Sequence, residues 1–239
     1  MTKTLTLTAV TGVLLLGLSA CADAPAEEAA PAAAETTVTG ETAVPAEVIL
    51  AADHAPAGFT YTDLGATLAE GDPEANAELL AMMAELTDAT ATAPAQCAGL
   101  LPTAVDILTH IGQDPATTAG TDFTDAEGTA ITAMATTDAG LTRAPGDLSD
   151  CATFTRESAV EGVDLTLTYH AQPMDLELPG AEAVTAARVQ LADDAVVEES
   201  TVIAGDVDGV YFYLTAPARL DDQVLIDLAG TQVEKITGR

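Results

Sequence analysis

Three cysteines, Cys21, Cys97 and Cys151, are the most reactive side chains in this sequence. A cysteine thiolate can act as a nucleophile or metal ligand, and two thiols can join as a disulfide. Nucleophilic catalysis needs Ser, Cys, Thr or Lys held beside a base. Downstream of Cys21 the serines are Ser149, Ser158 and Ser200, and none sits in a G-x-S-x-G elbow. The histidines His54, His110 and His170 lie far apart and lack the short spacings of a zinc site. Ser158 could approach His170 across a hairpin, but polar residues on a strand account for both. Lys235 falls near the end of a predicted helix, where a cation suits the helix dipole. Asp206-x-Asp208-Gly209 supplies two carboxylates of a calcium loop without its further oxygens or terminal Glu, so it reads as a hairpin turn. Neither G-x-x-x-x-G-K nor G-x-G-x-x-G occurs. The expectation is therefore a protein that is not an enzyme, with no catalytic residue, cofactor-binding residue or metal site.

The elements that would position these residues fall into two halves. Asp72-Pro73 is a strong helix start, with Asp as N-cap and Pro in the first turn. Leu79, Leu80, Met83 and Leu86 follow near one helical face. Residues 94–111 read as a short helix, a break before Pro102 and a second helix, so the first half is expected to be mostly helical. The second half alternates apolar and polar residues. Strands are expected over 129–136, 151–156, 163–169, 187–191, 201–204 and 210–214, with the turn at 206–209. On the last of these, Phe212 faces opposite to Tyr211 and Tyr213. If Phe212 is core, the tyrosines either pack on the other sheet face or line a cleft. Leu220, Val224, Leu225, Leu228 and Val233 have helical spacing and close the chain with a helix. The expected fold class is α+β: a mostly antiparallel sheet flanked by N-terminal helices and a C-terminal helix.

Composition narrows the partners. The chain has 239 residues, 38 acids and 7 Lys plus Arg, giving a formal net charge of −31. Nucleic acid is excluded as a partner because phosphate neutralisation needs clustered bases. A polybasic dock on anionic lipid is excluded for the same reason. Hydrophobic residues make up 48%, enough for a sizeable core. The acids are spread along the whole chain, as expected of a solvated surface.

The N-terminus points to a membrane by another route. Lys3 precedes an uncharged apolar stretch, residues 4–18, that is too short to span a bilayer comfortably. It ends in Leu18-Ser19-Ala20-Cys21, which resembles the lipobox of bacterial lipoproteins. That resemblance implies a signal peptide over 1–20, cleavage before Cys21, and a diacylglyceryl group with palmitate-type chains on the Cys21 thiol. Two or three acyl chains anchor stably where one is marginal. Residues 21–45 then form the lipidated Cys and a disordered Ala/Pro/Glu/Thr tether, with too little bulky apolar surface to offset ordering. Residues 46–239 are the expected folded domain. The implied localisation is the cell membrane, lipid-anchored on its extracytoplasmic face.

With Cys21 acylated, Cys97 and Cys151 remain. Outside the cytoplasm they are expected to pair, tying the helical half to the start of the β half. Two buried free thiols, or a metal pair, are the alternatives.

Pro94-Ala95-Gln96-Cys97, a helical stretch, a strand pair and then Asp150-Cys151-Ala152-Thr153-Phe154-Thr155 resemble the extracytoplasmic sensor domain of actinobacterial lipoproteins and PknH-like receptor kinases. Paired strands, a Gly-containing hairpin near 205–210, an aromatic strand and a C-terminal helix follow in the same order. The resemblance covers about 90–239, and 46–90 more loosely. The receptor-kinase members carry a second disulfide, for which this chain has no cysteines. The resemblance implies a cleft in the sheet and a non-catalytic ligand-binding or sensing role, with an unknown small ligand or envelope protein as partner. The alternative is a structural or accessory envelope protein acting through protein contacts.

Overall fold

The computed structural model describes residues 43–160, 163–192 and 198–238. The expected signal peptide, Cys21 and the tether up to residue 42 lie outside the described residues. Strands β1 (Thr60–Asp63), β2 (Thr90–Ala93), β3 (Thr118–Thr124), β4 (Ala130–Thr136), β5 (Thr153–Val160), β6 (Val163–Pro173), β7 (Glu182–Leu191), β8 (Glu199–Val207) and β9 (Val210–Pro217) form one sheet. Its order is β1-β3-β4-β9-β8-β7-β6-β5-β2, and every pairing is antiparallel. The helices are α1 (Pro45–Val48), α2 (Leu64–Glu70), α3 (Pro73–Asp88), α4 (Ala104–Gln113) and α5 (Asp222–Thr237), with short 3-10 turns at Ala52–His54, Ala95–Leu100 and Ser149–Cys151. The fold is α+β, as the sequence predicts. Among the described residues, no helix is long and apolar enough to cross a membrane.

The chain path explains the layers. Strands β5 to β9 form a meander, and β9 then closes against β4. The segment from α2 to α3 leads from β1 at one edge of the sheet to β2 at the other. Leu64, Ile107 and Ile111 from α2 and α4 pack with Met134, Val202, Tyr211 and Tyr213 on one sheet face. The opposite face carries Phe123, Ile203, Phe212 and Leu214 against Leu225, Leu228 and Val233 of α5 and Val48 of α1. Strand β9 is therefore buried on both faces. Phe212 goes to one core and the flanking tyrosines to the other, as strand alternation requires. The hairpin from β8 to β9 turns at Asp208 and Gly209, with φ of 48° and 83°. Two successive positive φ values suit a two-residue hairpin turn, which Asp-Gly adopts readily.

Local signals are obeyed where they are strongest. Asp72 caps α3 by accepting hydrogen bonds from Glu74 N and Ala75 N, both at 3.0 Å. Asp221 caps α5 by accepting from Gln223 N at 3.0 Å. Lys235 sits in the last turn of α5, and Gly238 ends that helix at φ 67°.

The structure differs from the sequence reading in three places. The first half holds helices α1 to α4, as expected, but it also supplies β1, β2 and β3, which the sequence does not announce. These strands are short or Thr-rich and gain their identity from distant partners. On α3, only Met83 is buried, while Leu79 and Leu86 are exposed. That helix flanks the core rather than covering it, so its apolar stripe is largely unused. Finally, Pro45 is buried as the first residue of α1, and Ala43 packs against the core. The packed chain thus includes residues expected to close the tether.

Tyr211 accepts a hydrogen bond on its hydroxyl from Ala144 N at 3.0 Å, and the Arg143 guanidinium lies 5.3 Å from its ring centroid. Arg143 also pairs with Asp206. Burial pushes the Tyr211 hydroxyl up to about 12 from the usual 10.0, against the pull of the Ala144 N–H and of Arg143. Burial raises Tyr213 as well. A raised phenol means that the folded state keeps a proton the unfolded chain loses. Stability is then complete below the unfolded value and declines as pH rises from about 10 to about 12. The urea midpoint should fall across that window, and Tyr211→Phe should lessen the fall while leaving the share that Tyr213 contributes. An equally steep fall in Tyr211→Phe would assign the titration elsewhere.

Candidate binding groove

Strand β5 carries Arg156 on the same face as Tyr169 and Leu167 of β6, Val189 of β7 and Tyr213 of β9, a consequence of the antiparallel registers. Helices α2 and α4 cover only part of this face. The remainder forms a groove running from β5 to β9, four strand spacings or roughly 19 Å. It has two basins that share Thr103, Arg156 and Tyr169. One, of about 270 Å³, is lined by Leu86, Val105, Leu165 and Leu167. The other, of about 810 Å³, is lined by Leu101, Val189, Leu191, Glu198, Tyr213 and Arg219.

The ridge between the basins is built from a helix cap. Thr103 and Asp106 form the capping box of α4, the sequence pattern Thr-x-x-Asp. Asp106 Oδ2 accepts from Thr103 N at 2.8 Å and Thr103 Oγ1 at 2.7 Å, while Oδ1 accepts from Thr87 Oγ1 at 3.1 Å. Arg156 Nη1 donates to Leu101 O at 2.8 Å, and its Nη2 stands 3.6 Å from Asp106 Oδ2. The second contact is a charge contact beyond hydrogen-bonding distance. Tyr169 stacks on Phe154 with ring centroids 5.3 Å apart. Burial raises the Tyr169 hydroxyl, with Arg156 pulling it down and Glu198 pushing it up. At the far end, Arg219 Nη2 donates to Thr129 Oγ1 at 2.9 Å.

The sequence-predicted residues fall elsewhere. Cys97 and Cys151 are bonded to each other and fully buried. They join the 3-10 turn after β2 to the one before β5, which excludes free thiols and a metal pair. Ser158 lies opposite Leu165, whereas His170 lies opposite Thr153. They are five positions apart along the pairing and on opposite faces, so no hydrogen-bonded pair forms. His170 Nδ1 instead lies 3.0 Å from Thr153 Oγ1. His110 Nδ1 is 3.4 Å from Asp138 Oδ2 on another part of the surface, and His54 Nδ1 is 2.9 Å from Asp53 Oδ1. Among the described residues, no group of three His, Cys, Asp or Glu could hold a metal ion. Sequence reasoning missed Arg156. Its one legible signal was scarcity, since few bases occur among so many acids. A scan against protein-family models and searches of curated proteins and of solved structures find no match.

Proposed function

We propose that this protein is a lipid-anchored lipoprotein on the extracytoplasmic face of the cell membrane, with a PknH-like sensor domain that binds a ligand without catalysis. The observation that carries the binding role is the groove on the partly uncovered sheet face, where apolar side chains surround a few polar groups. The anchor rests on the Leu18-Ser19-Ala20-Cys21 pattern. Ser158 and His170, the candidate nucleophile and base, lie on opposite faces of the sheet, which favours a binding role over catalysis. The test uses the full chain. Cys21→Ala should move the protein from the membrane fraction to the soluble fraction, and unchanged retention would overturn the anchor. Native mass spectrometry of the wild-type protein should show an adduct of defined mass that is lost on denaturation.

A second reading is favoured by α3, where Leu79, Met82 and Leu86 are 39%, 54% and 36% exposed. Such a face suits an accessory envelope protein that works through contacts. A bare mass, together with specific cross-links from position 82 to one envelope protein, would favour it over ligand binding.

A further inference from the structure

Arg156 is the one base on the ridge between the two basins, and its side chain is 18% exposed. A guanidinium has five N–H donors in a fixed fork. Among the described residues, Arg156 spends one of them on Leu101 O. Asp106 is already held by Thr87 and Thr103 and stays 3.6 Å away. Half-buried donors without a hydrogen-bond partner favour an acceptor that can take two of them together, and a carboxylate does so.

The apolar side chains beside it give the rest of the ligand. Leu86 and Leu165 both line the smaller basin and are 36% and 51% exposed, two of only five large apolar side chains so exposed among the described residues. Leu167 and Val105 complete that strip. Asp106 already faces the guanidinium and Glu198 stands in the adjoining basin, so the site accepts one further negative charge better than two.

On the reading that the groove is the ligand site, we infer that it takes a mono-anionic amphiphile of the fatty-acid class. The carboxylate forks onto Arg156, and the chain lies over Leu165 and Leu167 toward Leu86. Glu198 stands in the other basin, so the chain is directed away from it.

The test compares octanoate with octan-1-ol, two probes with the same chain and different heads. Equilibrium dialysis uses the full chain carrying Cys21→Ser, so that no acyl anchor competes. Octanoate should bind about tenfold more tightly than octan-1-ol, the gain expected of a charge-assisted fork. Arg156→Met should abolish that preference while leaving octan-1-ol binding in place, and Arg188→Met, on the other sheet face, should leave both unchanged. Leu165→Asp should weaken octanoate by at least about tenfold through lost apolar contact and like charge. Equal binding of the two probes to the unsubstituted groove would overturn the carboxylate head, whatever the variants do. If neither probe binds or displaces a native adduct, the ligand class is overturned while the groove remains a ligand site. If there is also no adduct, the groove reading fails too.

Discussion

Removing the Cys97–Cys151 bridge should lower the unfolding free energy by about 4 kcal/mol, the chain-entropy value for cysteines 54 positions apart. The double variant Cys97→Ala/Cys151→Ala is the informative one, because a single substitution leaves a free thiol in a site with no exposure. The bridge links two connections of different origin. One follows β2, which the N-terminal half delivers to the edge of the sheet. The other brings the chain from β4, near the middle of the sheet, to β5 beside β2. Without the bond, β2 is held in the sheet by its short pairing with β5 over Thr90–Ala93. Loss of the bridge should therefore loosen β2 and the Ala95–Leu100 turn first, and with them the Leu101 carbonyl that holds Arg156. Urea unfolding should show a lower midpoint, and amide exchange should quicken in β2 before β9. A loss below about 1 kcal/mol would mean that the unfolded chain stays compact enough for the crosslink to constrain little.

The C-terminal helix, the Asp208-Gly209 turn and the Asp72 cap were legible because each depends on neighbours in sequence. Strand β9 was legible too, since Val210 to Leu214 is apolar on both faces, as a doubly covered central strand requires. Strands β1 and β2 were not. Thr60–Asp63 and Thr90–Ala93 carry little apolar alternation and are strands because β3 and β5 pair with them. The groove was legible only in fragments. Thr103-x-x-Asp106 is a local capping pattern, but its place above Arg156 follows from the path of α4 across the sheet. The meeting of Arg156, Tyr169 and Val189 follows from registers spanning three strands. A lone Arg on a strand announces none of this. The stripe on α3 misled for the converse reason: helical spacing shows which residues share a face, not whether anything packs on it.

The same limit applies on α5, where the expected apolar stripe contains a glutamine. Gln232 has no exposure and lies among Leu228, Ala229, Val233 and Ile236. Its Oε1 accepts from Leu50 N at 3.1 Å, and its Nε2 donates to Val48 O at 2.8 Å. Two backbone groups at the end of α1 thus find their partners in one side chain 182 and 184 positions away. Val48, Ile49 and Leu50 can enter the core only because their backbone is satisfied there. Gln232→Leu keeps the bulk and removes both partners, so it should cost about 3 kcal/mol, the sum of two modest desolvation penalties. Gln232→Glu separates the two bonds. As a carboxylate it can accept from Leu50 N but cannot donate to Val48 O, and it places a charge in the core. Protonated, it can do both. Burial would raise the folded pKa of that Glu above its unfolded value of about 4.3. The variant should therefore be closest to wild type below about pH 4 and lose stability relative to it as pH rises through the raised value. Urea titrations of wild type, Gln232→Leu and Gln232→Glu at several pH values measure this directly, and the Leu50 amide should exchange faster in Gln232→Leu. If Gln232→Leu stays within about 0.5 kcal/mol of wild type, α1 holds its place by apolar packing alone.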